Sequence, residues 1–155
     1  MKSIACAALI CSLLFASCKG EENVNIYVGS GNWKLNGTTY QAYRVYKRNN
    51  ALIGETNFSS GENITVYFNT MPSSDGVYNI KKFDFFNPVL GPNDVSILAT
   101  GSGKNYGSIE VDTLRPKATV SIVKGKINLA MQEVWMHNAS GPDSVKLSGT
   151  VIENE

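Results

Sequence analysis

No cysteine follows residue 18 in this 155-residue chain; its three cysteines are Cys6, Cys11 and Cys18. Residues 19–155 therefore offer no thiol for a disulfide, a cysteine-ligated zinc or a cysteine nucleophile. There is one histidine, His137, so a metal site would have to be assembled from it and scattered carboxylates. An excess of charge of one sign is missing as well, since 14 Lys and Arg stand against 13 Asp and Glu. The nearest approaches to a basic patch are the isolated pairs Lys47-Arg48 and Lys81-Lys82. That argues against a nucleic-acid partner and against long-range steering of charged ligands. The apolar run from Ser3 to Phe15 is too short to span a bilayer comfortably. No internal repeat and no convincing long helix is visible.

Familiar catalytic signatures are absent too. Gly101-Ser102-Gly103-Lys104 invites comparison with a phosphate-binding loop, but Leu98 stands where that loop needs its first glycine. Asn105 stands where it needs Ser or Thr. A glycine-rich hairpin is the better reading. His137 has no G-x-S-x-G serine to serve, and with Asn138 and the following Ser-Gly-Pro it reads as the lip of a turn. No Asp-x-Asp-x-Asp calcium loop occurs. The carboxylates Asp84, Asp94, Glu110, Asp112 and Glu133 are spread out. A glycosidase needs only two at the right separation, and nothing marks such a pair. No catalytic residue, metal or cofactor is expected.

What is present is the pattern of short strands between turn residues. Asn36-Gly37 supports a two-residue type I′ hairpin, because both residues tolerate positive φ. Counting from that turn sets Leu35 opposite Thr38, Lys34 opposite Thr39 and Trp33 opposite Tyr40, an aromatic cross-strand pair closing one end of a core. Period-two alternation recurs at Ile64, Val66 and Phe68, at Ile109 and Val111, at Val120 and Ile122, and at Val145, Leu147 and Val151. From Ile127 to Met136 the phase slips. Ile127, Leu129 and Met131 share one face and Val134 and Met136 the other, which a β-bulge near Gln132-Glu133 would explain, with a short helix as the alternative. The expected fold is all-β, an antiparallel sandwich or partly closed barrel of about nine or ten short strands.

The aromatic residues are the remaining candidates for a binding face. Tyr40, Tyr43 and Tyr46 surround a strand that is apolar on both faces, and Phe83-Asp84-Phe85-Phe86 precedes a proline-bracketed loop. Sugar rings stack on such side chains, while core packing is the ordinary alternative. Tyr43, Tyr67 and Tyr106 are expected to reach solvent and to form any ligand-binding surface.

The N-terminus carries the most specific signal. Lys2 supplies a positive start, the apolar run follows, and Phe15-Ala16-Ser17-Cys18 resembles the lipobox of bacterial lipoproteins. The resemblance implies cleavage after Ser17 and acylation of Cys18, with Phe15 in place of the family's usual Leu. Two or more acyl chains would then hold the chain on a membrane. A plain secretory signal is the alternative. Residue 19 is Lys, not the Asp that marks inner-membrane retention in such lipoproteins. Cys18-Lys19-Gly20-Glu21-Glu22 is similar to the acidic stretch of surface-exported lipoproteins of Bacteroidetes-type bacteria, though a solvated tether would look the same. The expected organisation is a signal peptide over 1–17, a lipidated tether over 18–31 with a short edge strand at Val24 to Val28 at most, and one β domain over 32–155. The mature 138 residues would suffice to bury roughly two-thirds of the unfolded surface in one domain.

The Trp33 to Tyr40 opening and the closing Lys146-Leu147-Ser148-Gly149-Thr150-Val151 resemble small Bacteroidetes-type lipoproteins with β-sandwich or lipocalin-like domains. Asp112-Thr113-Leu114 and Asp143-Ser144-Val145 resemble the O-glycosylation acceptor of the same bacterial group, implying Thr113 and Ser144 as modified residues. The resulting expectation is a non-catalytic envelope lipoprotein, anchored in the outer membrane through Cys18 and facing the cell surface in preference to the periplasm. Its β domain would bind a glycan, a protein or another surface component. A lipocalin-like carrier of a small apolar ligand and a glycan-acting hydrolase are the alternatives.

Overall fold

The computed structural model describes residues 30–57, 60–84, 89–110 and 114–155. Cys18, the signal peptide, the Val24 to Val28 segment and Thr113 lie outside the described residues. Eleven strands follow one another: β1 (Gly31–Leu35), β2 (Thr38–Gln41), β3 (Arg44–Arg48), β4 (Ala51–Glu55), β5 (Asn63–Phe68), β6 (Gly76–Lys81), β7 (Asp94–Gly101), β8 (Lys104–Ser108), β9 (Lys117–Val123), β10 (Lys126–Asn138) and β11 (Ser144–Ile152). The fold is all-β, and the strands form one sheet in the order β2-β1-β11-β10-β9-β6-β7-β5-β4-β3, with β8 bridging β10 and β7. At one end of the sheet β10 and β7 are joined by β9 and β6, and at the other by β8 alone, an architecture of the sandwich or partly closed barrel kind.

Local chemistry explains the hairpins. Asn36-Gly37, Ser102-Gly103 and Lys124-Gly125 each place both turn residues at positive φ, the geometry whose twist matches the flanking strands. The first hairpin has the register expected from its sequence, Trp33↔Tyr40 and Leu35↔Thr38, and the two rings stack at 5.8 Å and 17°. Gly101-Ser102-Gly103-Lys104 is the β7–β8 hairpin end, not a phosphate cradle. The third turn was not legible, because Lys124 is not a turn-forming residue by habit.

β10 carries the closure. Met131 pairs with Gly149 and Val134 with Leu147, so Gln132 and Glu133 together face one residue of β11. This is the expected β-bulge, and no helix interrupts the strand. Before the bulge, one edge of β10 pairs with β9, and after it the same edge pairs with β8 at Met136 to Asn138. β7 is shared in a similar way, pairing with β6 over Asp94 to Ser96 and with β8 over Leu98 to Gly101. At this fork the Ser108 hydroxyl accepts a hydrogen bond from the Ile97 amide at 3.0 Å and donates to the Lys81 carbonyl at 2.6 Å.

Two features depart from expectation. β6 and β7 run parallel where an antiparallel sheet was expected. Residues 82–93 separate them, enough chain for the crossover that a parallel pair needs. Ile109 and Glu110 lie outside any strand, since β8 stops at Ser108 and the Ile109 amide donates to the Trp135 carbonyl at 3.0 Å; Val111 and Asp112 lie outside the described residues.

The opposite side is fastened by the chain end. Glu153 is buried, accepts from the Ile127 amide at 2.8 Å and pairs with Lys47 at 3.0 Å. The Asn154 side chain accepts from the Val45 amide at 2.7 Å, and the Asn154 and Glu155 amides both donate to the Val45 carbonyl. Ser30 joins the same knot, its carbonyl accepting from Ile152 and its hydroxyl from Asn154. One continuous core fills the interior, with Trp33, Leu52, Ile64, Ile97, Leu129 and Met136 among its fully buried members. Gly149 lets β1 approach: its φ is +148°, and a Cβ there would lie 2.6 Å from the Trp33 Cα.

Two serines, both buried in the sheet, should respond oppositely to the same change. Ser108→Ala strands the Ile97 amide and the Lys81 carbonyl and should cost about 1–3 kcal/mol in urea unfolding. Ser96 is fully buried, and its hydroxyl has no hydrogen-bond partner among the described residues, so Ser96→Ala should leave the unfolding midpoint unchanged or raise it.

Candidate functional site

Because Ile64, Val66 and Phe68 point into the core, Thr65 and Tyr67 of β5 must face outward. Register sets Thr65 opposite Ile53 and Tyr67 opposite Ala51, which in turn lies opposite Arg48 of β3. These outward residues floor a groove of about 490 Å3. Arg48, Asn49, Asn50 and Asn69 form its polar rim, and Leu90 from the β6–β7 connection forms part of the far wall.

Tyr67 is half-buried and packs on the Phe83 ring at 5.5 Å with a tilt of 40°. Phe83 is itself held by its amide, which donates to the Ser108 carbonyl at 2.7 Å. The tyrosine is thus a braced platform. The β3–β4 turn is braced too: Asn49 sits at φ +53°, a value asparagine tolerates. The Asn50 side chain donates to the Asn69 carbonyl at 2.8 Å, and the Asn50 carbonyl accepts from the Phe68 amide at 2.8 Å. Among the described residues the side chains of Arg48, Asn49 and Asn69 themselves make no hydrogen bond or ion pair. An aromatic floor beside unengaged amides and a guanidinium can stack a ring and hydrogen-bond its substituents at once.

The other sequence-derived positions do not gather here. Tyr43 is exposed at the corner between β2 and β3, outside the groove. Tyr106 was expected to reach solvent and does not. It is 7% exposed and belongs to the core: its side chain lies on the inward face of β8, in register with buried Ala99 of β7 and buried Asn138 of β10. Phe83 is buried, as core packing would have it; Phe85 and Phe86 lie outside the described residues.

A residue missed by the sequence reading is Trp135. The bulge turns Val134 and Met136 inward and therefore Trp135 outward, where it lines a groove of about 370 Å3 with Lys34, Glu133 and Ser144. Lys146 lies over its ring at 5.2 Å and is ion-paired with Glu133 at 2.6 Å, so this aromatic face is already occupied. The parity after the expected bulge was the signal that could have found it.

Carboxylates are mostly engaged. Glu110 pairs with Lys81 at 2.9 Å, and Asp94 accepts from Asn79 at 2.9 Å. A pair not singled out in the sequence, Glu55 and Glu62, lines one small surface depression. Glu55 is held there by Arg44 at 2.7 Å and by the Tyr46 hydroxyl at 2.9 Å. Among the described residues no group of three or more His, Cys, Asp or Glu side chains is placed to hold a metal ion. His137 is exposed near the end of β10, and its Nδ1 lies 3.5 Å from the hydroxyl of exposed Ser144, a marginal separation for a hydrogen bond.

Beside Ser144, the Lys104 ammonium hydrogen-bonds Asp143 at 2.7 Å and holds that carboxyl below the usual aspartate range. The folded-state value is depressed, so the pair's stabilisation is complete above the ordinary aspartate value of about 3.9 and fades as pH falls through the lowered one. Carboxyl-carbon NMR titration should place the Asp143 midpoint at a lower pH than that of an ordinary aspartate, and Lys104→Met should return it upward. Comparison with protein-family models, curated proteins and solved structures finds no match to this chain.

Proposed function

We propose that this chain is a non-catalytic cell-envelope lipoprotein, held on the outer membrane through acylated Cys18, whose β domain binds a glycan in the Tyr67 groove. Lipid anchoring and surface location rest on the N-terminal sequence: the positive start, the short apolar run, and the small-residue approach to Cys18. The glycan reading rests on one observation, the half-buried Tyr67 ring braced by Phe83 beneath a rim of asparagine side chains. A protein or another surface component remains the wider class of ligand for the same face.

The carrier reading draws less support, since an apolar ligand in the barrel would have to displace Trp33, Leu52 and Ile97. The hydrolase reading draws less support as well, since of the two carboxylates that share one depression among the described residues, Glu55 and Glu62, Glu55 is already bound by Arg44 and Tyr46.

Two measurements test the proposal. Detergent-phase partitioning should carry the wild-type chain into the detergent phase, and Cys18→Ala should leave it in the aqueous phase; equal partitioning would remove the anchor. In a glycan-binding screen, Tyr67→Ala should weaken any hit about tenfold, a loss of about 1.4 kcal/mol. Tyr43→Ala, which lies outside the groove, should leave the hit intact.

A further inference from the structure

β3 carries three cations, and two of them have carboxylate partners. Arg44 pairs with Glu55 at 2.7 Å and lies 3.9 Å from Glu155. Lys47 pairs with buried Glu153 at 3.0 Å. Arg48 has no anionic partner among the described residues, and it is the one of the three that lines the Tyr67 groove. Among the described residues no carboxylate lines that groove, and its other members are neutral. The guanidinium therefore places an uncompensated positive charge at the rim of an otherwise uncharged, partly apolar surface.

Its position relative to the platform follows from register. Arg48 lies opposite Ala51, and Ala51 lies opposite Tyr67, so the three share the outer face of the sheet. Adjacent strands are about 4.8 Å apart, which puts the Arg48 and Tyr67 backbones roughly 10 Å apart. Ala51 between them carries only a methyl group, and all three line the same groove. A six-membered sugar ring stacked on Tyr67 would thus present an edge substituent to Arg48. The planar guanidinium fork matches a carboxylate with two parallel hydrogen bonds, which neither a hydroxyl nor a lysine partner would reproduce.

From this arrangement we infer that the groove selects sugars bearing a carboxylate, of the uronate or sialate type, with Arg48 as the carboxylate clamp and Tyr67 as the stacking platform. The inference rests on the glycan reading of the groove and names the ligand class for it. Asn49 and Asn69 then serve the ring hydroxyls, and Arg48 discriminates acidic from neutral sugars.

The test is calorimetric titration of the detergent-solubilised full chain with uronate and sialyl oligosaccharides, each beside its carboxyl-reduced counterpart. The acidic member of a pair should bind at least tenfold more tightly, and 0.5 M salt should erode that preference. Arg48→Gln should bring the two members to parity while Tyr67→Ala weakens both. Arg48 is exposed, so its substitution should leave thermal unfolding unchanged. Equal, Tyr67-dependent binding of acidic and reduced sugars would overturn the clamp and leave the glycan reading standing. An acidic preference that survives Arg48→Gln would overturn the assignment to Arg48. Failure of every sugar to bind would overturn the glycan reading and the inference with it.

Discussion

The extra residue that β10 carries opposite β11, at Gln132–Glu133, allows one edge of a 13-residue strand to serve two partners, β9 before the bulge and β8 after it. Two strands, β9 and β6, carry the ladder from β10 to β7 beside the first part of β10, and the single strand β8 spans the same two strands beyond the bulge. A bulge adds local twist and re-aims the side chains beyond it. Here it keeps Val134 and Met136 in the core and sends Trp135 out. The gap left where β6 and β8 both reach β7 would expose the Ile97 amide and the Lys81 carbonyl to an apolar interior. Ser108 satisfies both with one hydroxyl, a local solution to a problem that the closure creates.

Closure on this scale leaves the interior full. Large side chains from most of the strands meet in one cluster, so recognition has to be built on the outside. The Tyr67 groove shows how. The β3–β4 turn stands above the sheet and is tied to β5 through Asn50, while the long β6–β7 connection contributes Leu90 on the other side. Phe83 enters from the same connection and supports the tyrosine from behind. The groove is thus framed by one tight turn and by the connection between the parallel strands, and its floor is the ordinary outward face of two strands.

Much of the local structure was legible in the sequence. Asn36-Gly37 dictated a turn with both residues at positive φ, and once its register was set Trp33 had to face Tyr40. The slip in alternation between Met131 and Val134 could be resolved in a sheet only by an additional residue. Tyr106 was misread because its strand turns that side chain into the core cluster, and which face of β8 points inward is set by its pairing with distant β7 and β10. The parallel β6–β7 pair was invisible for a related reason: alternation reports which face a residue takes and carries no information about the direction of the neighbouring strand.

The sequence by itself determined the all-β class, the first hairpin, the bulge and the N-terminal features that point to a lipid anchor, because each is set by residues within a few positions of one another. The tertiary structure decided the rest. Arg48, Ala51 and Tyr67 become neighbours only through two successive strand pairings, and Leu90 and Phe83 reach them from a crossover whose path the local sequence does not encode. A binding surface across strands depends on long-range register, and register is selected by the packing of the whole core.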